Sequence, residues 1–338
     1  MNNYRLIIFG DDWDVYLTAY KDLIDDTQIS YIPNFRPKGL LGLLQRIHFT
    51  PQLNHLVSIP GKSWWNPLIL RHIKKEQRPC FLILDKWLRM ECGIRLLPYL
   101  KKHYPEAPIV CFTQDLIDTI IDIYSRRHID LDYIKQYTDL FISYDAIDAK
   151  KYALLYHPTV FSAIPTDVSQ RKETYDLYFL GRDKGRLQTL VTICNEARQR
   201  GLRCKFVMLE IPQDQRIECE GIVYSDSLVS YRQNLEDCAA SNCIIELLQQ
   251  DAQSPTFRTW EAISLNKKLL TNNTNIRHSE VYDTRYISVF GDEKTIDWDF
   301  ISSGEAFPNE KNPYQEIIKP ETLIQFIEDK LQIQIERS

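Results

Sequence analysis

The sequence SPTFRTWEAISLNKKLLTNN, residues 254–273, contains the signals of a helix that leads directly into a strand. Ser254 is a favoured N-cap residue and Pro255 suits the first helical position. The apolar run within Lys267–Thr271 predicts a short buried strand. Because the first turn of a helix presents backbone N–H groups that have no partner within the helix, we expect an anion to bind at this helix start.

Arg258 and Glu261 are three residues apart in this helix, so they share one face. A diphosphate is bound by cations and N–H groups, and ribose hydroxyls are bound by a carboxylate, so the combination suits a sugar nucleotide. A surface ion pair on an ordinary capped helix explains the same residues and stays open as the alternative.

Strand and helix signals alternate on both sides of this stretch, which predicts βαβ units and parallel sheets. Helices are predicted over Val15–Ile24 and Lys86–Tyr104, and Asp226-Ser227 is the predicted cap of a helix that ends before the strand containing CIIELL. Further predicted strands are Tyr4–Gly10, Cys80–Asp85, Pro108–Thr113, Asp139–Ser143, Tyr175–Leu180, Cys204–Leu209, Gly221–Tyr224 and Tyr286–Phe290.

The length of 338 residues favours two domains rather than one core. The polar segment His157–Arg171 contains two prolines, and we interpret it as the linker. We therefore predict a first domain over residues 1–165 and a second over 173–318. Residues 319–338 have helical apolar periodicity and are predicted to form a final helix.

The sequence GRDKGR, residues 181–186, follows a predicted strand and precedes a predicted helix. Gly181 allows close backbone approach, and Arg182, Lys184 and Arg186 supply three cations, so the loop suits a diphosphate. A solvated turn is the alternative. Neither GxGxxG nor a P-loop spacing is present, which argues against a nicotinamide enzyme and an NTPase.

Three segments of the second half resemble the donor site of bacterial GT-B glycosyltransferases that build capsules and lipopolysaccharide. They are CIIELL, which contains Glu246, then QSPTFRTWEA (residues 253–262), and then LNKKLLTNNTNIR. In that family the carboxylate at the position of Glu261 holds the nucleotide ribose, and an FxGxxKxR loop, here residues 179–186, faces the diphosphate. The family usually has Gly-Leu-Thr before the arginine, whereas this chain has Ser254-Pro255-Thr256. Residues 138–158 resemble the end of the first domain in the same family.

The resemblance implies an α/β protein with two Rossmann-like, doubly wound parallel-sheet domains facing a cleft, and a C-terminal helix that crosses back to the first domain. It implies transfer of a sugar from a nucleotide-sugar donor to a glycan or lipid-linked acceptor, without a metal or cofactor. The candidate donor-binding residues are Gly181, Arg182, Lys184, Arg186, Glu246, Ser254, Thr256, Arg258 and Glu261.

Asp11 and Asp12 follow the first predicted strand. Ligands of doubly wound sheets meet the loops at the carboxyl ends of strands, so these aspartates are the candidate general bases. Asp85, at the end of another predicted strand, is the next candidate. Capping of the following helix is the alternative role for Asp11 or Asp12.

Residues 31–66 combine Arg36, Lys38, Arg46 and His48 with leucines and phenylalanines. This pattern fits a basic amphipathic surface that contacts the cytoplasmic face of a membrane, but it also fits a helix that packs into the core. We favour the core-packing interpretation.

The net charge of −5 and the pI near 5.9 argue against binding of nucleic acid. Since no apolar run reaches the length of a membrane span and the N-terminus has no basic n-region, we expect a cytoplasmic protein. The eight cysteines include no CxxC pair, and we expect reduced core residues and no structural metal. A non-catalytic carbohydrate- or partner-binding protein on the same scaffold remains the second functional interpretation.

Overall fold

The computed structural model describes residues 4–50, 53, 59–71, 73, 78–124, 130–248, 255–304, 307 and 312–337. The chain divides into two compact units. The first unit consists of Met1–Val160 with Pro320–Ser338, and the second of Phe161–Lys319. Within these residues each unit contains one six-stranded sheet, and all the described strand pairs are parallel.

The sheet of the first unit has the strand order β2-β1-β3-β4-β5-β6. The chain therefore changes direction between β1 and β3, and a doubly wound sheet binds ligands at the carboxyl ends of the two strands at such a switch point. The strands are β1 (Arg5–Phe9), β2 (Ser30–Ile32), β3 (Pro79–Leu84), β4 (Ile109–Thr113), β5 (Leu140–Ser143) and β6 (Leu155–Tyr156).

The sheet of the second unit has the order β9-β8-β7-β10-β11-β12, which is the order of dinucleotide-binding domains. Its switch point lies between β7 and β10. The strands are β7 (Tyr175–Arg182), β8 (Cys204–Leu209), β9 (Ile222–Ser225), β10 (Ser241–Glu246), β11 (Lys268–Thr271) and β12 (Ile287–Val289).

Both sheets have apolar central strands, because helices cover both faces of a doubly wound sheet. All six residues of β3 are buried, and the side chains of Phe81, Trp87 and Leu97 belong to the core of the first unit. Phe179, Phe206 and Ile245 belong to the core of the second unit.

The described helices connect these strands and are numbered in chain order. The first unit contains α1 (Asp14–Ala19), α2 (Lys21–Asp25), α3 (Gly39–Phe49), α4 (Asn66–Ile69), α5 (Asp85–Arg89), α6 (Glu91–His103), α7 (Ile117–Tyr124), α8 (Leu131–Lys135), α9 (Ala146–Lys151) and, from the end of the chain, α15 (Pro320–Arg337). The second unit contains α10 (Thr166–Ser169), α11 (Leu187–Gln199), α12 (Tyr231–Ala239), α13 (Phe257–Ser264) and α14 (Trp298–Ser302).

Two predicted helices of the first unit are interrupted. The helix predicted over Val15–Ile24 is divided at Tyr20, whose backbone has φ −104° and ψ 14°. The helix predicted over Lys86–Tyr104 is divided at Met90, which is extended. A Cβ atom on Gly93 would lie 1.9 Å from the Trp87 carbonyl oxygen, so the absence of a side chain at Gly93 permits this tight connection.

Two predicted helix starts in the second unit are also wrong. α13 begins at Phe257 rather than at Pro255, and its N-cap is Thr256, whose side chain accepts a hydrogen bond from the Arg258 amide at 3.2 Å. The predicted N-cap Ser254 lies outside the described residues. α12 is capped by Ser230 rather than by Asp226-Ser227. In both cases a later hydroxyl residue supplies the cap, and local sequence does not distinguish among successive capping residues.

The segment interpreted as a polar linker is partly buried. His157, Thr159, Phe161 and Ser162 are all buried. The final helix, α15, belongs to the first unit. This is the arrangement expected for a C-terminal helix that crosses back to the first domain.

The interpretation that the leucines of residues 31–66 pack into the core is wrong for α3. Its leucines and its isoleucine are between 45% and 72% exposed, and only Gly42 of this helix is buried. All eight cysteines lie in the described residues and are unpaired, and six of them are buried.

Candidate functional site

Two arginines connect β7 and β10 at the switch point of the second unit. Arg186, which follows β7, donates to the Leu247 carbonyl oxygen beyond β10 at 2.8 Å. Arg258, in the helix after β10, donates to the Leu180 carbonyl oxygen in β7 at 3.0 Å. Arg186 and Arg258 therefore connect the ends of β7 and β10, and their guanidinium groups lie beside this edge of the sheet.

The end of β7 and the loop after it carry three cations at this edge, Arg182, Lys184 and Arg186. Arg182 is exposed and pairs with Glu210 through an Nε–Oε2 distance of 2.9 Å. Lys184 is exposed, and within the described residues it forms no ion pair. Burial, and then the charges of Arg186 and Arg182, lower the pKa of Lys184. The contribution of the two arginine charges shows that cations surround Lys184, which favours an anionic ligand.

Gly181 allows this loop to approach closely. A Cβ atom at Gly181 would lie 2.9 Å from the Phe179 ring and 3.1 Å from an Arg186 nitrogen. The Arg186 guanidinium lies over the Phe179 ring at 5.3 Å. A side chain at Gly181 would therefore displace Arg186, which connects the ends of β7 and β10.

Glu246 ends β10 and holds α13 in place. Its Oε1 accepts hydrogen bonds from the Thr256 amide at 2.8 Å, from the Thr256 hydroxyl at 2.7 Å and from the Thr259 hydroxyl at 3.1 Å. Its Oε2 accepts from Thr271 at 2.7 Å. Burial raises the pKa of Glu246, while these hydrogen bonds lower it. In this structure both carboxylate oxygens bind protein groups, so Glu246 positions the start of the helix.

Glu261 is fully buried and forms an ion pair with Arg258. It also accepts a hydrogen bond from the Asn234 side chain at 3.0 Å. The Asn234 carbonyl oxygen in turn accepts from Arg258 and from the Tyr178 hydroxyl, both at 3.1 Å. The alternative of a surface pair is therefore wrong, because this pair lies inside the unit as part of a hydrogen-bonded network.

The start of α13 is only partly available to an anion. The amides of Thr256, Arg258 and Thr259 already bond to Glu246 or to Thr256. The Thr256 hydroxyl donates to Glu246 and accepts from the Arg258 amide. Of the described candidate residues at this edge, Arg182, Lys184 and Thr256 are exposed.

The switch point of the first unit brings together Asp11 and Asp85. Asp11 is buried, and its Oδ1 accepts from the amides of Asp12 and Trp13 at 2.7 and 3.1 Å. This carboxylate therefore caps the turn that leads into α1. Its Oδ2 lies 3.6 Å from the Lys86 ammonium. Asp12 has a side chain that is 32% exposed and lies 3.5 Å from Arg36.

Asp85 begins α5 and is buried beside Arg89, with an Oδ2–Nη2 distance of 3.4 Å. Burial raises the pKa of Asp85, although Arg89 and the Gln114 amide oppose the shift. Arg89 also pairs with Asp115, which follows β4. Burial and the Asp85 charge raise the pKa of Tyr16, so three strand ends and α1 contribute titratable groups to this edge.

The sequence analysis does not identify the hydrogen-bond partners of Glu246 and Glu261. Thr271 is brought beside Glu246 by the parallel register, in which the two residues are opposite each other. Thr259 lies one helical turn after Thr256, and that spacing is a signal that could have indicated a shared acceptor. Asn234 lies in a different helix, and its contact with Glu261 has no signal in the local sequence.

Within the described residues, no group of three or more His, Cys, Asp or Glu side chains is arranged to hold a metal ion. Of the helices that the structure describes, none combines the length and the apolar character needed to cross a bilayer.

No protein-family model matches the sequence, and no curated protein matches it. Solved structures do match across nearly the whole chain. A trehalose-6-phosphate synthase, OtsA, is 9% identical with a TM-score of 0.55, and the match covers 98% of each chain. A putative UDP-N-acetylglucosamine 2-epimerase from Listeria monocytogenes is 8% identical with a TM-score of 0.54, covering 99% of this chain and 98% of the other. A UDP-GlcNAc 2-epimerase from Neisseria meningitidis, bound to UDP-GlcNAc, is 12% identical with a TM-score of 0.50, covering 96% and 99%.

These neighbours include glycosyltransferases and epimerases with the GT-B fold. The likeness confirms the predicted fold, which is an α/β chain with two Rossmann-like parallel sheets.

Proposed function

We propose that this protein is a glycosyltransferase that moves a sugar from a nucleotide-sugar donor to a glycan or lipid-linked acceptor in cell-surface polysaccharide synthesis. The capsule and lipopolysaccharide context rests on the sequence resemblance around Glu246 and residues 253–262. The reaction displaces the nucleoside diphosphate from the anomeric carbon, and the acceptor hydroxyl loses its proton to a base.

The observation that carries the proposal is the cationic edge between β7 and β10. The second unit has the strand order of dinucleotide-binding domains. The edge at its switch point carries the cations of Arg182, Lys184, Arg186 and Arg258. A departing diphosphate gains negative charge at the leaving oxygen. Cations already fixed at that position stabilise the transition state without reorganisation.

The donor-site residues have different roles in this proposal. Arg182 and Lys184 bind the diphosphate, and Gly181 lets the backbone approach it. Arg186 and Arg258 connect the ends of β7 and β10, and Glu246 positions the start of α13. Glu261 neutralises Arg258 within the hydrogen-bonded network that includes Asn234. It binds the ribose only after it leaves that network. Ser254 and Thr256 precede α13 in the sequence, and Thr256 is an exposed residue.

We propose that the base is at the sheet edge of the first unit, where Asp11 and Asp12 are the first candidates. Asp12 is the more exposed of the two. Asp11 orients the turn that carries Asp12, because it binds the Asp12 amide. Asp85 follows as the next candidate, since its raised pKa favours uptake of a proton.

A non-catalytic binding protein on the same scaffold is the second candidate function. One observation favours it: Glu261, the residue implied to bind ribose, is fully buried and is paired with Arg258. Such a protein would bind a carbohydrate or a protein partner without consuming a nucleotide-sugar.

A screen of nucleoside diphosphates and nucleotide-sugars tests the proposal. Thermal shift measures binding, and release of nucleoside diphosphate measures turnover. We expect at least one nucleotide to stabilise the protein, and we expect Arg182→Ala with Lys184→Ala to weaken its binding by about tenfold or more, since charge-assisted hydrogen bonds are lost.

Arg198→Ala is the matched control, because Arg198 also forms an exposed pair with a glutamate but lies near the opposite end of α11. Binding without turnover of any nucleotide-sugar would favour the non-catalytic protein. If no nucleotide stabilises the protein, the proposal for the second unit is wrong.

A further inference from the structure

α3 presents its apolar face away from the unit that it packs on. Leu40, Leu43, Leu44 and Ile47 follow the i, i+3, i+4, i+7 spacing of one helical face, and they are 72%, 51%, 47% and 45% exposed. Leu41, beside this face, is 49% exposed. Soluble surfaces expose single apolar side chains routinely, but a contiguous apolar helical face indicates an interaction site.

The opposite face of α3 fixes the helix to the first unit. A Cβ atom on Gly42 would lie 2.1 Å from the Pro37 carbonyl oxygen, so the chain approaches closely there. Gln45 donates to the Phe35 carbonyl oxygen at 2.6 Å, and the Phe49 ring lies 6.5 Å from the Trp65 ring. The helix is therefore anchored, and its outward orientation is a property of the fold.

His48 connects the helix to the turn that carries Trp64. Its Nδ1 accepts a hydrogen bond from the Trp65 indole at 2.9 Å, and its Nε2 lies 2.8 Å from the Pro60 carbonyl oxygen. The neighbouring residue, Trp64, is 79% exposed. Tryptophan has an apolar ring and a polar N–H, and it is enriched where proteins meet the headgroup region of a bilayer.

The sequence around α3 is basic, and two of its cations are paired in the structure, Lys62 with Glu91 and Arg36 with Asp12. Residues 27–75 contain seven lysines and arginines and no acidic residue, in a chain whose net charge is −5. Lys38 and Arg46 flank or lie on α3, and within the described residues neither forms an ion pair. A cavity of about 530 Å³ beside Pro60 is lined by the basic side chains of Lys102 and His103, among others.

From this arrangement we propose that α3 and Trp64 form a docking surface for the headgroup and upper acyl region of an anionic phospholipid bilayer. Leu40, Leu43, Leu44 and Ile47 enter the membrane, and the cations beside them contact lipid phosphates. An apolar helix face with surrounding basic residues binds such a surface through buried apolar area and electrostatic attraction together. The proposal stands independently of the glycosyltransferase proposal, because it uses none of the residues at either sheet edge.

Flotation of the full chain with lipid vesicles tests this surface. Vesicles of phosphatidylcholine with about a third phosphatidylglycerol should carry the protein, whereas pure phosphatidylcholine vesicles should carry about tenfold less. The double variant Leu40→Gln, Leu44→Gln should bind the anionic vesicles about tenfold more weakly or worse, since apolar burial is lost. Raising the salt concentration to about 0.5 M should also weaken binding of the wild type.

The matched control is Val223→Gln with Leu228→Gln, which removes two exposed apolar residues of the second unit and should leave vesicle binding unchanged. Unchanged thermal unfolding shows that the α3 variant is folded. Equal binding of the wild type to neutral and anionic vesicles would overturn the assignment to anionic lipid. Absence of vesicle binding, with a dimer that the α3 variant abolishes, would assign the face to a second copy of the chain.

Discussion

The two switch points of this protein both carry carboxylates, but the two edges use them differently. At the edge of the second unit, Glu246 accepts hydrogen bonds from three threonines and Glu261 is paired inside the unit. At the edge of the first unit, Asp12 is partly exposed and lies 3.5 Å from Arg36. At the second edge Arg182 and Lys184 are exposed while Glu246 and Glu261 hold the structure, and at the first edge Asp12 is partly exposed.

This difference shows that the position of an acidic residue at the end of a parallel strand does not fix its role. What decides the role is the number of donors that the fold brings to the carboxylate. A carboxylate with all its lone pairs occupied cannot also bind substrate without losing those bonds. If this distinction holds, removing the partners or the charge of Glu246 and Glu261 lowers stability, whereas changing Asp12 lowers activity.

The largest effect is expected for Glu261→Ala. Removal of this carboxylate leaves the Arg258 charge buried without its counter-ion, so the free energy of unfolding should fall by about 3–5 kcal/mol. Urea unfolding measures the change. Glu210→Ala removes the carboxylate of an exposed pair and should cost about 1 kcal/mol or less. Equal costs for the two variants would show that the buried network does not stabilise the second unit.

Asp12→Asn tests the edge of the first unit. If Asp12 is the base, kcat should fall by about 100-fold or more, because the amide does not take up a proton, while binding of nucleoside diphosphate persists. Single-turnover assays with the donor found in the screen measure this effect. Asp14→Asn, a nearby exposed aspartate in the first turn of α1, is the control. Full activity of both Asp12→Asn and Asp11→Asn would move the base to Asp85.

Thr271→Val sharpens the assignment of Glu246 as a structural carboxylate. The variant leaves one carboxylate oxygen of Glu246 without its donor, and a hydrogen bond to a charged group contributes about 1.5–3 kcal/mol. The free energy of unfolding should fall by that amount, with little change in nucleotide affinity. Thr192→Val, which removes an exposed hydroxyl bonded within α11, should have a smaller effect. A loss of nucleotide affinity without a loss of stability would instead place Thr271 or Glu246 at the ligand.

Acid should lower the free energy of unfolding of the first unit because His157 is buried there. Burial lowers the pKa of this histidine, and its Nδ1 lies 2.8 Å from the Pro158 carbonyl oxygen. Because the folded state takes up the proton less readily than the unfolded chain, stability should be lost as the pH falls below about 6.5, with a slope of up to about 1.4 kcal/mol per pH unit.

His157→Gln should make the dependence of unfolding free energy on pH shallower between pH 7.5 and 5, and His103→Gln, at an exposed histidine, should not. An unchanged slope in the His157 variant would show that other groups produce the acid sensitivity.

The alternation of strand and helix, the apolar character of β3 and β4, and the cationic loop after β7 were all predictable from sequence. These features depend on local periodicity and on residues that are close along the chain. The helix followed by a strand in residues 254–273 is also predictable, although α13 begins at Phe257 rather than at Pro255 and β11 begins at Lys268 rather than at Lys267.

The sequence by itself determined that the chain folds into two Rossmann-like units and that cations follow the first strand of the second unit. Tertiary structure alone decided that Glu261 is buried against Asn234, that Thr271 lies opposite Glu246, and that the leucines of α3 face outward. The reason is that burial and hydrogen-bond partners come from elements distant in the chain. Residue type and spacing therefore identify the groups at an edge, while the packing of other elements decides which of them remain open to a ligand.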